Sequence, residues 1–463
     1  MKKLIILSTV LVLVLFLVVT FSIVGCKATT ATAASETTAA ASETTAAASE
    51  TTAAAETTAA AAETQKVKIT YVRWTQPPYD DMYLQFAKDF MAKNPNVEIE
   101  ILFYPDPDMP GKVRTAIASG GALDCFSINS FESAWFMANN TVEEIMPSGF
   151  GKQSVQEVVD MWEPGSLKTS GGFYNDKYYG IPEELANYGA WINTAYMKEA
   201  GLDPAKDIPT TWDEFVNVTK KMTVKKGGTI TRNGFATNLK ASVFPFLILS
   251  TLMEQKGLDW STEQGLLSSL DKPEAVEALK TFTGWAKTDG IWDPGLFNDE
   301  REGFGNGLTA TFLTGGSWYW GVAKQYSVKP ADITPFKYPR FADGKDIGGV
   351  AYGYSSMVTK QSKNKEWAWK WVDYMASFPD VIITGGLYQP RKTLDPALVK
   401  QYVPNSDVFV NELPKATVAI ASTKFNEVKD AVGAAIDRVI SQDMSNEDSI
   451  KQLKMDVTQI LTK

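Results

Sequence analysis

The sequence predicts an α/β fold, and three observations carry that prediction. Near residue 67 a strand-like alternation, a helix-like period and a second alternation follow one another. About 400 residues lie beyond Gln65, enough for two or three domains with cores of their own. The later half of the chain is dominated by segments with helical spacing.

The first strand is expected where Val67, Ile69 and Tyr71 alternate with polar residues. Tyr79, Tyr83, Phe86, Ala87 and Phe90 then recur at helical spacing, and Asn94-Pro95 stops the helix. Val97, Ile99, Ile101 and Phe103 alternate again. A strand, helix and strand in this order imply a right-handed crossover between parallel strands. Farther on, Thr211 and Glu214 form a capping box after Pro209. Helix faces are marked by Val276, Leu279, Phe282 and Trp285, by Trp371, Tyr374 and Met375, and by Phe425, Val428, Val432, Ile436 and Val439. Strands in this half are expected to be short.

The N-terminal residues bear on the compartment. Lys2 and Lys3 precede an uncharged apolar run from Leu4 to Val24, the order of a secretory leader over residues 1–25. The run is also long enough to span a bilayer. Ile23-Val24-Gly25-Cys26 resembles a bacterial lipobox, which implies cleavage before Cys26 and lipidation of that cysteine. A single acyl chain holds a membrane weakly, and several hold it firmly. From Cys26 to residue 65 the chain is a tether built from near-repeats of Ser-Glu-Thr-Thr-Ala-Ala-Ala, too poor in large apolar side chains to bury a core. A flexible tether of this length spans roughly 30–40 Å, and an O-glycosylated stalk would serve as the same spacer.

Composition removes several kinds of chemistry. The net charge of −9 becomes more negative once the two leader lysines are gone, which argues against a nucleic-acid partner. There is no histidine, so His-dependent triads and His metal sites are excluded. With Cys26 lipidated only Cys125 remains; it reads as a buried strand thiol, and no intrachain disulfide can form. Gly305-Asn306-Gly307-Leu308-Thr309-Ala310 fits a dinucleotide fingerprint formally, but the charged run before it is not strand-like. Glu183 and Glu184 invite a glycosidase reading. Neighbours on an extended segment point to opposite faces and cannot flank one bond, although carboxylates from distant positions could. No cofactor and no metal are implied.

What is abundant is aromatic: 13 Trp, 17 Tyr and 23 Phe. Two clusters sit beside glycines, at Gly315 to Gly321 and at Gly349 to Tyr354. Glycine permits close backbone approach to a ligand, and a ring offers a flat apolar face. A pyranose suits both, with a C–H face to lie on a ring and a hydroxyl rim that needs polar partners. Each carbon contact gives only ~0.1–0.2 kcal/mol, but a stacked ring makes tens of them.

Four segments then carry a family resemblance: 178–202, beginning Tyr-Tyr-Gly-Ile-Pro; 207–215, Asp-Ile-Pro-Thr-Thr-Trp-Asp-Glu-Phe; 305–320, from Gly-Asn-Gly to Trp-Tyr-Trp; and 362–375, beginning Ser-Lys-Asn-Lys. In this order they resemble extracellular solute-binding proteins of the maltose-binding type, which serve carbohydrate ABC transporters. Ile192 and Ala310-Thr311 depart from the usual pattern. The resemblance covers about Lys66 to the C-terminus. It implies two α/β lobes of the type II periplasmic-binding-protein fold, with a ligand cleft between them. One lobe would comprise 66–182 and 340–385, the other 186–336 and 392–463. The crossing segments would be Ile181 to Asn187, Phe336 to Phe341, and about Thr384 to Thr393.

Mapped onto those motifs, the expected ligand-binding residues are Trp74, Gln76, Asp80, Asn129, Phe131, Glu132, Glu183, Tyr188, Trp318, Trp320, Tyr354 and Arg391. Trp318 and Tyr354 would stack on sugar rings, while Glu132, Glu183 and Arg391 would bond hydroxyls. The implied partners are a carbohydrate and the permease subunits of a transporter, for a monomer held at the membrane through Cys26. Receptors for a polyamine, a peptide or ferric iron, a secreted glycosidase, and a tethered structural protein remain as alternatives.

Overall fold

The computed structural model describes residues 66–463 apart from 77–78, 106–107, 240–242 and 396. The leader, Cys26 and the tether lie outside the described residues. Two main sheets are built from nine strands: β1 Val67–Trp74, β2 Val97–Tyr104, β3 Cys125–Asn129, β4 Gly180–Asn187, β5 Gly189–Asn193, β6 Thr311–Gly315, β7 Ile333–Phe336, β8 Val350–Val358 and β9 Thr417–Val418.

The larger sheet runs β9-β8-β3-β1-β2, with β4 also paired to β8. The predicted crossover is present. β1 pairs parallel with β2 from Val67–Val97 to Trp74–Tyr104, and the helix Tyr79–Lys93 connects them. That helix buries Tyr79, Tyr83, Phe86, Ala87 and Phe90, the face its periodicity marked. β3 is also parallel to β1, so the carboxyl ends of all three strands open on one side. Cys125 is fully buried in β3, and burial pushes its thiol well above the ordinary range.

The smaller sheet is β6-β5-β7, antiparallel throughout. The helix Phe244–Gln255 packs on it, the helices Pro273–Lys287, Phe425–Gln442 and Asn446–Leu461 form a layer with that helix, and the capping box at Thr211 and Glu214 starts the helix Trp212–Met222 as expected. Among the described residues no helix is long and apolar enough to cross a membrane.

One expectation needs correcting. Strands in the later half were to be short, yet β8 has nine residues and is central to the larger sheet. All nine are buried, so the polar alternation that announces a strand is missing.

The chain passes between the sheets at adjoining places. β4 belongs to the larger sheet and, after Tyr188 alone, β5 belongs to the smaller. The return runs from β7, ending at Phe336, to β8, starting at Val350. The two passages touch: the Tyr188 amide donates to the Val350 carbonyl at 2.9 Å. Gly349 has φ +94°, and a Cβ there would sit 2.3 Å from the Tyr188 carbonyl oxygen, so only glycine fits. A third stretch lies along β4, where the Tyr388 carbonyl accepts from the Leu185 amide at 2.6 Å.

Candidate functional site

A cavity of about 920 Å³ opens at the carboxyl ends of β1 and β3 and is closed from the other side by residues around the smaller sheet. Ligands commonly sit at such strand ends, because the loops that follow can vary without disturbing the sheet. β1 supplies Trp74, with Thr75 and Gln76 after it; the end of β3 supplies Asn129, with Phe131 and Glu132 after it. β4 and its exit supply Glu184 and Tyr188, and β8 supplies Tyr352 and Tyr354. Facing them are Phe244, the run Asn298 to Arg301, Trp318, Tyr326, and Phe425 with Lys429 on one helix.

Rings form much of the wall. Tyr188 and Tyr352 stack with centroids 4.5 Å apart, and Phe131 stacks on Phe425 at 5.3 Å. Trp74 lies 5.2 Å from Tyr354. Trp318 packs over Gly316, where any Cβ would come within 2.6 Å of its indole. The indole nitrogens of Trp74 and Trp318 are buried without a hydrogen-bond partner. Buried donors normally find an acceptor, and a ligand hydroxyl is one kind that could reach a cavity wall.

Ion pairs hold the polar part in place. Arg114 contacts Glu132 at 3.0 Å, and Arg301 contacts Asp299 at 2.5 Å. Asp299 also accepts from the Arg301 and Glu302 amides and so caps the helix Glu300–Gly305. Burial pushes the Asp299 carboxyl up, but its hydrogen bonds to Arg301 and the neighbouring amides outweigh that and hold it below the usual range. Glu300 is 2% exposed, and burial pushes its carboxyl up to about 7 even though Thr237 donates to it at 3.1 Å.

Of the expected residues, the structure brings Trp74, Gln76, Asn129, Phe131, Glu132, Tyr188, Trp318 and Tyr354 to the cavity wall. It places the other four elsewhere. Asp80 starts the first helix and accepts from the Gln76 amide at 3.0 Å. Trp320 stacks on Trp191 at 6.4 Å, within a separate apolar cluster. Arg391 pairs with Asp373 at 2.8 Å and lies over the Trp162 ring.

Glu183 points the other way from Glu184, into the core beneath the cavity. There it accepts from the Tyr71 hydroxyl at 2.6 Å, the Tyr83 hydroxyl at 3.3 Å and the Ser356 hydroxyl. It also faces the fully buried Arg73 at 3.9 Å. Burial works against the Arg73 cation, but Tyr83, Glu183 and Tyr71 outweigh it and hold its pKa above the ordinary value. The opposite-face rule for adjacent strand residues therefore holds, and Glu184 is the member that reaches the cavity.

Several wall residues escaped the sequence reading. Tyr352 is two residues before Tyr354 on one strand, so the same periodicity could have found it. Phe425 gave no such signal, because it begins a helix face that reads as core. Asp299 to Arg301 read only as part of a charged run that is not strand-like. The fingerprint-like glycines at 305 and 307 lie at the end of a helix and precede β6, the reverse of a dinucleotide site. Among the described residues no group of acidic or sulfur side chains could hold a metal.

Comparison with known proteins agrees with this geometry. The maltotriose-binding protein of Pyrococcus abyssi is 24% identical over 383 residues, covering 79% of this chain and 76% of its own. The multiple sugar-binding protein of Streptococcus mutans is 25% identical over 326 residues, covering 67% of this chain and 71% of its own. The fold matches an ABC substrate-binding protein of Listeria monocytogenes in complex with cycloalternan, with TM-score 0.73, 18% identity, and coverage of 86% of this chain and 100% of that one. Residues 74–377 match the family model described as bacterial extracellular solute-binding protein, and the chain belongs to that family.

Proposed function

We propose that this chain is the substrate-binding receptor of a carbohydrate ABC transporter, taking a sugar or oligosaccharide in the cavity and delivering it to a membrane permease. The observation that carries the reading is the wall itself: stacked rings beside fixed carboxylate, guanidinium and amide groups, in a space of about 920 Å³. The rings can take the C–H faces of pyranoses, and the ion-paired side chains can satisfy hydroxyls without having to be ordered first. The sugars named for the two curated relatives support the same class of ligand.

In this reading the two sheets belong to lobes that close on the ligand about the passages at Tyr188 and Gly349. Closure needs contacts that only the closed form makes, and the permease reads that form. The Cys26 lipid and the tether hold the receptor outside the cytoplasm, within reach of the permease.

Calorimetric titration with sugars, followed by mass spectrometry of the released ligand, tests the proposal. Saturable binding with the sugar recovered intact is expected; cleavage products would make the protein a hydrolase. Trp318→Ala should weaken the bound sugar by about 2 kcal/mol, roughly thirtyfold in Kd. Unchanged affinity would remove Trp318 from the site.

A polyamine receptor is the second reading, and one observation favours it. Glu132, Glu184, Asp299, Glu300 and Asp430 on the wall outnumber Arg114, Arg301 and Lys429. Spermidine in the same titration separates the two readings.

A further inference from the structure

We propose that the ligand path continues past Arg114 into a second subsite, built around Trp135, that takes additional sugar units of a linear oligosaccharide. This rests on the carbohydrate reading above and specifies the length of ligand the site accepts.

A second cavity of about 510 Å³ adjoins the first. Arg114 and Asn426 line both spaces, so the two are separated by no more than those side chains. Arg114 is held there from two sides. One guanidinium nitrogen contacts Glu132 at 3.0 Å, and the group lies 5.0 Å from the Trp135 ring centroid. Its Nε is buried and has no hydrogen-bond partner. The junction thus offers a fixed planar cation with an unused donor, at the point where a chain leaving the first cavity would pass.

Beyond the junction, Trp135 is only half-buried. Around it stand Asn139, Lys424 and Glu427, an amide, an ammonium and a carboxylate. A single ring stands here among mainly polar side chains, a wetter version of the ring-and-polar wall of the first cavity. The second space has over half the volume of the first, so an oligosaccharide filling the first has room to extend.

Length dependence is the readout. Titration calorimetry would use linear malto-, cello-, manno- and xylo-oligosaccharides of two to seven units against the wild-type chain and Trp135→Ala. Wild-type affinity should rise with length within the series that binds. Trp135→Ala should weaken the longest members by about tenfold and leave the shortest binder unchanged.

The double variant Asn139→Ala/Lys424→Ala alters side chains outside the first cavity and should give the same length-selective loss if Trp135→Ala does not fold. Affinity independent of length, or a loss equal for short and long members, would overturn the second subsite and leave the receptor reading standing. A chain that binds no member of any series would overturn both.

Discussion

A Glu183→Ala protein should lose about 3–5 kcal/mol of stability, measured by urea unfolding at neutral pH. The change removes the nearer, buried carboxylate facing the fully buried Arg73 guanidinium and leaves only Asp80, at 4.0 Å. The hydroxyls of Tyr71, Tyr83 and Ser356 lose their shared acceptor as well. An unpaired buried charge costs more than the pair contributes, because its desolvation is no longer offset. A variant within 1 kcal/mol of wild type would show that this cluster is not holding β1, β4 and β8 together. Glu184→Gln should act on ligand affinity instead, since the Glu184 side chain lines the cavity. Two adjacent carboxylates would then separate cleanly in two assays.

The second large effect depends on pH. The Glu300 carboxyl is raised from 4.5 to about 7 in the folded chain. The folded state therefore holds the proton more tightly than the unfolded state between those values. Stability falls as pH rises through that window, and above it ionised Glu300 costs about 3 kcal/mol. Glu300→Gln removes the titration while keeping an acceptor for Thr237. The variant should be more stable than wild type at pH 8 and nearly equal to it at pH 4.5, by urea unfolding at both values. An equal difference at both pH values would mean that Glu300 does not titrate in this window.

Much of the fold was legible because one-sided burial writes a period into the sequence. The first helix shows this, with Tyr79, Tyr83 and Phe90 buried as their spacing implied. So does the helix from Phe425, with Val428, Val432, Ile436 and Val439 inside. β8 was illegible for the complementary reason: buried on both faces, it has no alternation to read.

The cavity wall was legible where it followed strand ends and motif positions, as at Trp74, Asn129 and Trp318. It was not legible where the choice depended on distant packing. Strand parity says that Glu183 and Glu184 face apart, but not which face the core takes. That is settled by Tyr71, 112 residues earlier. Asp299 and Arg301 look like any solvated pair until the rest of the wall arrives beside them.

Tyr188 joins two roles in a single residue. Its ring belongs to the cavity, stacked on Tyr352, while its backbone carries the passage between the sheets and abuts Gly349. In the proposed closure, a solute settling on that phenol would push directly on the passage between the sheets. Sensing and movement would then share a single residue, with the ring reading the solute and the backbone carrying the turn.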